Sequence, residues 1–195
     1  MTSHSMSSSG HHGICTWWMA YTFDNPLRRL IHKPQKVLGN YVKEGMTVMD
    51  LGCGMGHFSI GMAGLVGPTG KVIAVDLQQK MLDIMERRAQ RASLAGRIFP
   101  HLCRADDIGI EEPFDFILAF WMVHELPDQE KFFKQLKAVL AADGKILIAE
   151  PKMHVPAEAF ERTLEISQSC GLQCSERPDI RFSRTALLGT GVIGI

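Results

Sequence analysis

The stretch Thr47-Val48-Met49-Asp50-Leu51-Gly52-Cys53-Gly54-Met55-Gly56-His57-Phe58-Ser59 decides how the rest of the chain is read. A short apolar strand stops at an acid, passes through three glycines at alternate positions, and runs into an apolar, helix-like segment over residues 58–65. Glycines spaced this way let the backbone take positive φ and let a ligand approach the main chain, while the N–H groups at the start of the helix behind them remain available. The pattern predicts a nucleotide-binding turn, in which a Cβ at Gly52, Gly54 or Gly56 would intrude on the ligand.

The spacing is not that of the dinucleotide fingerprint G-x-G-x-x-G, because the third glycine comes one residue early and Asp50 stands two residues before the first. A carboxylate there sits badly beside a pyrophosphate and suits a ligand with a cationic amino-acid end. Tight strand-to-helix turns also use glycine without binding anything, so the next element carries weight. Lys71-Val72-Ile73-Ala74-Val75-Asp76 is a second apolar strand ending in an acid. An acid roughly 20 residues past the glycines is placed to take both hydroxyls of a ribose. Asp76 is expected at the exposed end of that strand, without a buried partner.

Outward from this nucleus the chain alternates in a βα rhythm, which implies a mostly parallel sheet covered on both faces. A helix is expected over residues 79–94, where Met81, Leu82, Met85, Ala89 and Ala92 form an apolar stripe and Arg87, Arg88 and Arg91 a solvated face. Strands follow over 98–103 and 114–120, then a helix over 129–140. The turn Ala141-Ala142-Asp143-Gly144 leads into a fifth strand over 145–149, and Glu150-Pro151 follows it. After a helix over 157–170, residues 172–177 and 182–190 read as two strands joined at Pro178-Asp179 with no helix between them, an antiparallel hairpin.

The D-x-G-x-G-x-G turn, Asp76, the Phe114-Asp115 pair, His124-Glu125-Leu126-Pro127-Asp128, and Leu140 through Pro151 occur in the order seen in class I S-adenosylmethionine-dependent methyltransferases. Over residues 37–190 the chain resembles the small-molecule branch of that family, which includes the ubiquinone and menaquinone C-methyltransferases. The resemblance implies an α/β fold, a doubly wound, mostly parallel seven-stranded Rossmann-like sheet with an antiparallel C-terminal hairpin and helices on both faces. It implies S-adenosyl-L-methionine as cofactor, with S-adenosyl-L-homocysteine as product. Asp50 and the turn Gly52, Cys53, Gly54 and Gly56 would hold the methionine end, Asp76 the ribose and Leu77 one face of adenine. An acid after the third strand usually meets the adenine amino group. Arg104-Ala105-Asp106-Asp107 offers two candidates there, of which Asp106 is taken, and it puts Arg104 near the position where the family carries its acid. Backbone at Phe120 would close the cofactor site.

Methyl transfer is an in-line displacement at an activated sulfonium, so positioning and exclusion of water supply most of the acceleration, and a base is needed only if the acceptor must lose a proton. His124 is the best-placed base and Glu125 the second, the alternative being that His124 caps a turn. Trp17, Trp18, Phe23 and Trp121 are candidates to line an acceptor pocket, and Arg28 and Arg29 to meet an anionic group on an acceptor with an apolar or aromatic body.

The chain has 195 residues, 46% of them hydrophobic and 22% charged, with 21 basic and 21 acidic side chains. That suits one soluble domain and offers no global field for nucleic acid or anionic lipid. No run approaches the roughly 18 apolar residues of a membrane span. The expected division is a disordered leader over 1–13, an N-terminal helical cap or lid over 14–45, in which Val37, Leu38, Tyr41 and Val42 form a helical pattern ending near Gly45, and the cofactor-binding domain over 46–190. Five cysteines without scaffold spacing imply reduced thiols and a cytoplasmic location. Cys170 and Cys174 could share one helical face as a metal or soft-ligand pair, but two thiols without a nearby third are expected as core residues, and no metal is assigned. The expected partner is a small-molecule methyl acceptor, the chain being a monomer or homodimer. Two other classes stay open, a non-catalytic S-adenosylmethionine-binding module working through a partner and an NAD(P)-dependent oxidoreductase.

Overall fold

The computed structural model describes residues 31–191, so the leader, Trp17, Trp18, Phe23, Arg28, Arg29 and most of the expected cap lie outside the described residues. Seven strands, β1 (Thr47–Leu51), β2 (Lys71–Asp76), β3 (Ile98–Leu102), β4 (Phe114–Phe120), β5 (Leu140–Pro151), β6 (Gln173–Glu176) and β7 (Ser183–Gly189), form one sheet in the order β3-β2-β1-β4-β5-β7-β6. The first five run parallel, and β7 lies antiparallel between β5 and β6. This is the expected doubly wound sheet with its antiparallel pair.

Alternation along the strands sorts the core into two layers. Val48, Val72, Ala74, Phe116, Leu118 and Leu147 face α2 (His57–Leu65) and α3 (Gln79–Arg91), where Phe58, Met62, Leu82 and Met85 meet them. The alternate residues Met49, Ile73, Ile117 and Ile148 face α4 (Gln129–Val139) and α5 (Ala157–Ser169), packing on Phe133, Leu136, Phe160 and Leu164. Both faces of β1, β2 and β4 are therefore dry, as their near-continuous apolar sequences require.

Three elements differ from the sequence reading. The helix expected to run from Val37 toward Gly45 is α1 (Pro34–Leu38), which stops at Gly39. The chain then turns so that Tyr41 stacks on Phe116 at 6.0 Å and Val42 enters the core, contacts that a continued helix would forgo. Strand β5 begins at Leu140, but Phe114 pairs with Leu140 and Phe116 with Lys145, so the expected turn Ala141-Ala142-Asp143-Gly144 survives as a loop bulging from the strand. Cys170 caps α5 and bonds the Glu130 carbonyl, whereas Cys174 lies in exposed β6 and bonds the Glu176 carbonyl, so the two thiols do not share a helical face. The outer strand β3 carries Pro100 in its middle and leaves Phe99 and Leu102 exposed. Among the described residues no helix is long and apolar enough to cross a membrane.

The described part of the N-terminal segment is a packed layer. Pro34 sits against Gly61 of α2, where an added Cβ would lie 2.1 Å from the proline Cβ. Replacing glycine by alanine in a helix interior is worth about 1 kcal/mol in favour of alanine, while overpacking costs about 1–3 kcal/mol. The rigid proline ring cannot move aside as a long side chain would, so Gly61→Ala should be net destabilising, by up to about 2 kcal/mol, in denaturant unfolding. A variant more stable than wild type would show that α1 is loosely seated.

Candidate functional site

Strand order reverses between β1 and β4, because the chain builds β1, β2 and β3 outward and then crosses back to the other side of β1. Crevices at such a switch point, beyond the carboxyl ends of the strands, are where open α/β sheets hold ligands. The turn after β1 and the turn after β4 meet there. A Cβ on Gly52 would come within 3.2 Å of the Met122 side chain.

The glycine turn is built as predicted, with φ of +66° at Gly52, +52° at Gly54 and +80° at Gly56. The reasons for Gly52 and Gly56 differ from the sequence expectation. A Cβ at Gly56 would strike Met85 of α3 at 2.3 Å, so this glycine serves helix packing, and Gly52 faces Met122. Only Gly54 opens onto space, with nothing within 4 Å of an added Cβ. The turn is braced from both sides. The Cys53 N–H donates to the Val75 carbonyl at 2.9 Å, and Arg88 of α3 donates to the Met55 carbonyl at 3.0 Å. Arg88 was expected on a solvated face; periodicity gave no sign that it would reach back to the turn.

Two acids flank the turn. Asp50 is buried in the sheet and accepts a 2.5 Å bond from the Ser59 hydroxyl of α2. Asp76 is not at an exposed strand end. It is only 8% accessible, and its carboxylate accepts from the Gly54 N–H and the Gln78 N–H, each at 2.9 Å. Burial pushes its pKa up, and the backbone donors of Gln78, Gly54 and Leu77 hold it back. Beside it, Leu77 leaves 41% of its surface exposed. The Cys53 thiol is pushed well up by burial and by the carboxylates of Asp50 and Asp76, which keeps it protonated. Asp106 lies in the short turn closed by the Arg104–Asp107 bridge, exposed and 3.1 Å from Lys131 of α4, whose ammonium lowers its pKa.

Beyond β4, the Phe120 ring is buried against Phe58 at 4.6 Å, leaving its backbone at the crevice. Trp121 takes a left-handed φ of +61°, donates its indole N–H to the Ser183 hydroxyl at 2.9 Å, and packs edge-on to His32 at 5.2 Å. The following turn, Val123–Glu125, carries His124 and Glu125. His124 Nδ1 is hydrogen-bonded to the carboxylate of Glu150, which raises the imidazole pKa above its ordinary value. Its Nε2 lies 4.0 Å from Glu125, whose own pKa is raised by burial. Sequence reasoning assigned Glu150 no role, although the signal that marked Asp50 and Asp76, an acid closing an apolar strand, was present there too. Among the described residues no group of three or more His, Cys, Asp or Glu side chains is placed to hold a metal ion.

Two predictions follow from these contacts. Gly54→Ala bears only the left-handed backbone cost, about 1 kcal/mol, whereas Gly56→Ala adds a collision in the core and should cost about 2–4 kcal/mol in denaturant unfolding. Because Glu150 raises the folded-state pKa of His124, the pair contributes stability that is fully present below the unfolded value of about 6.5 and is lost as pH rises through the folded value. The stability gap between wild type and His124→Asn should therefore be widest in mild acid and narrow toward alkaline pH in urea titrations.

A family model described as a methyltransferase domain matches residues 42–177. A demethylmenaquinone methyltransferase of Lactobacillus johnsonii is 34% identical over 112 residues, covering 56% of this chain and 45% of that protein. One from Oceanobacillus iheyensis is 31% identical over 110 residues, covering 56% and 46% respectively. The chain thus spans under half the length of these two relatives. The crystal structure of a SAM-dependent methyltransferase from Aquifex aeolicus superposes with a TM-score of 0.77 at 25% identity, covering 88% of this chain and 98% of that one. With the match extending from the turn before β1 through the end of β6, and with the same sheet, the chain belongs to the methyltransferase domain family.

Proposed function

We propose that the chain is an S-adenosylmethionine-dependent methyltransferase acting on a small-molecule acceptor. The observation that carries this reading is the grouping at the switch point of an open glycine backbone at Gly54, a buried carboxylate at Asp76 and an exposed apolar side chain at Leu77. A polar chain lying on backbone, a diol and a flat base call for these three surfaces in that order. Asp50 and the backbone from Gly52 to Gly54 would hold the methionine end, Asp76 the ribose and Leu77 the adenine, with Phe120 backbone opposite. Asp106, one of whose oxygens meets Lys131, is the candidate for the adenine amino group.

When bound, the cofactor supplies a methyl group on a positively charged sulfur, a strong electrophile that needs no further activation. The protein's part is to hold the acceptor in line with that methyl, keep water away and take any proton released. His124, with a nitrogen turned from the core, and Glu125 beside it are the groups available for the proton. The curated relatives are named for demethylmenaquinone, and an acceptor with an apolar or aromatic body is the reading extended to this chain, with Trp121 contributing to its pocket. Trp17, Trp18, Phe23, Arg28 and Arg29 remain candidates for that pocket.

Calorimetric titration tests the proposal. S-adenosylhomocysteine should bind and NAD should not; NAD binding without a response to S-adenosylhomocysteine would overturn it. Asp76→Ala should weaken S-adenosylhomocysteine roughly a hundredfold, the loss of charge-assisted bonds to two hydroxyls. The same variant should lose about 1–3 kcal/mol of folding stability, because the Gly54 and Gln78 N–H groups are left without their acceptor. Wild-type affinity in a folded Asp76→Ala protein would place the ribose elsewhere.

A further inference from the structure

Glu150 is the acid that the proposed function leaves unused. It closes β5 with 1% of its surface exposed, and both carboxylate oxygens are committed. One accepts the Val123 backbone N–H at 2.9 Å, and the other takes Nδ1 of His124. An ionised carboxylate only accepts hydrogen bonds, so Nδ1 must carry the hydrogen. In the neutral ring the lone pair is then on Nε2, the nitrogen turned out toward Glu125.

The surrounding turn holds this arrangement in place. The Trp121 N–H donates to the Ala149 carbonyl at 2.7 Å, its indole is tied to Ser183 of β7, and the Gln129 side chain donates to the Val123 carbonyl at 3.2 Å. The left-handed backbone at Trp121 is a conformation that persists only where surrounding contacts over-determine it. The ionisable groups around the ring are Glu150 from β5, Glu125 from the same turn, and His154, whose ring centroid is 6.4 Å away in the turn after β5. The turn carrying His124 lies beyond the carboxyl end of β4 at the switch point, beside the glycine turn, where a Cβ on Gly52 would meet Met122 at 3.2 Å.

We propose that Glu150 is a positioning residue that fixes His124 as the Nδ1–H tautomer and holds the Nε2 lone pair toward the crevice as a proton acceptor. The inference rests on the methyltransferase reading above for the proton it serves. The acceptor arrives protonated. Its proton would pass to Nε2, the electron pair so released would form the bond to the methyl carbon, and the pair of the broken sulfur–methyl bond would stay on sulfur. The proton then leaves His124 for solvent. The imidazolium formed is flanked by the side chains of Glu150 and Glu125.

The test needs no known acceptor. Long-range nitrogen–proton correlation NMR on uniformly labelled wild-type protein, above the His124 pKa, should show hydrogen on Nδ1 and a bare Nε2. In Glu150→Gln the amide oxygen can keep the Val123 N–H, which turns the amide NH2 toward Nδ1. The ring should then switch to the Nε2–H tautomer, and its pKa should fall by about one unit or more. Glu150→Asp keeps the charge and should keep the wild-type tautomer. A wild-type ring with hydrogen on Nε2 would overturn the proposal even if the glutamine variant does not fold. So would a folded Glu150→Gln protein with unchanged tautomer and pKa. Titration of the same wild-type sample with S-adenosylhomocysteine separates the two claims, because a bound cofactor product with the wrong tautomer defeats the His124–Glu150 assignment and leaves the methyltransferase reading standing.

Discussion

The crevice depends on one carboxylate with two backbone claims on it. Asp76 ends β2, yet its oxygens reach the Gly54 N–H in the turn after β1 and the Gln78 N–H at the start of α3. The Cys53 bond to Val75 and the Arg88 bond to Met55 tie the same turn to β2 and α3, and the Asp76 carboxylate joins it to the start of α3 as well. Charge-assisted bonds of this kind are among the stronger ones available to a protein, and a buried donor left without its acceptor is costly. Each carboxylate oxygen has two lone pairs, so in the proposed reading the ribose hydroxyls would join the backbone donors at Asp76 rather than displace them.

Helix α3 carries a second share of that work. It starts right after Asp76 and Leu77, packs Met85 where a side chain on Gly56 would otherwise go, and sends Arg88 to the Met55 carbonyl. The glycine turn is thus clasped by β2 at one end and by α3 at the other. A displacement of α3 would be felt by the turn and by Leu77 together. The second turn of the site, after β4, is held by β5 and β7 instead, through Ala149, Glu150 and Ser183. The two halves of the crevice are braced by opposite sides of the sheet.

Much of this was legible in the amino-acid order because the signals are local. Alternating glycines after an apolar strand, acids closing β1 and β2, and the missing helix between β6 and β7 each depend on residues close together in the chain. The α1 boundary was misplaced because the apolar spacing of Val37, Leu38, Tyr41 and Val42 fits both a helix and a turn that buries the same side chains. The Asp76 environment, the reach of Arg88 and the His124–Glu150 pair were not legible for a common reason. Each joins elements brought side by side only by the parallel sheet, over separations of 22, 33 and 26 residues. Glu150 came closest to being found, since it repeats the pattern of Asp50 and Asp76, and only its partner was hidden.

The proline within β3 has a consequence for the molecule among its neighbours. An outermost strand offers unpaired backbone groups to any passing chain, and Pro100 removes a donor from the middle of that row. On the far side, β6 has four residues and a register break between Cys174 and Glu176, which makes it too short and too bent to recruit another strand. Both margins of the sheet are blunted against edge-to-edge growth. The width of seven strands is therefore self-limiting, and Phe99 and Leu102 can stay exposed beside an edge that offers little template for aggregation.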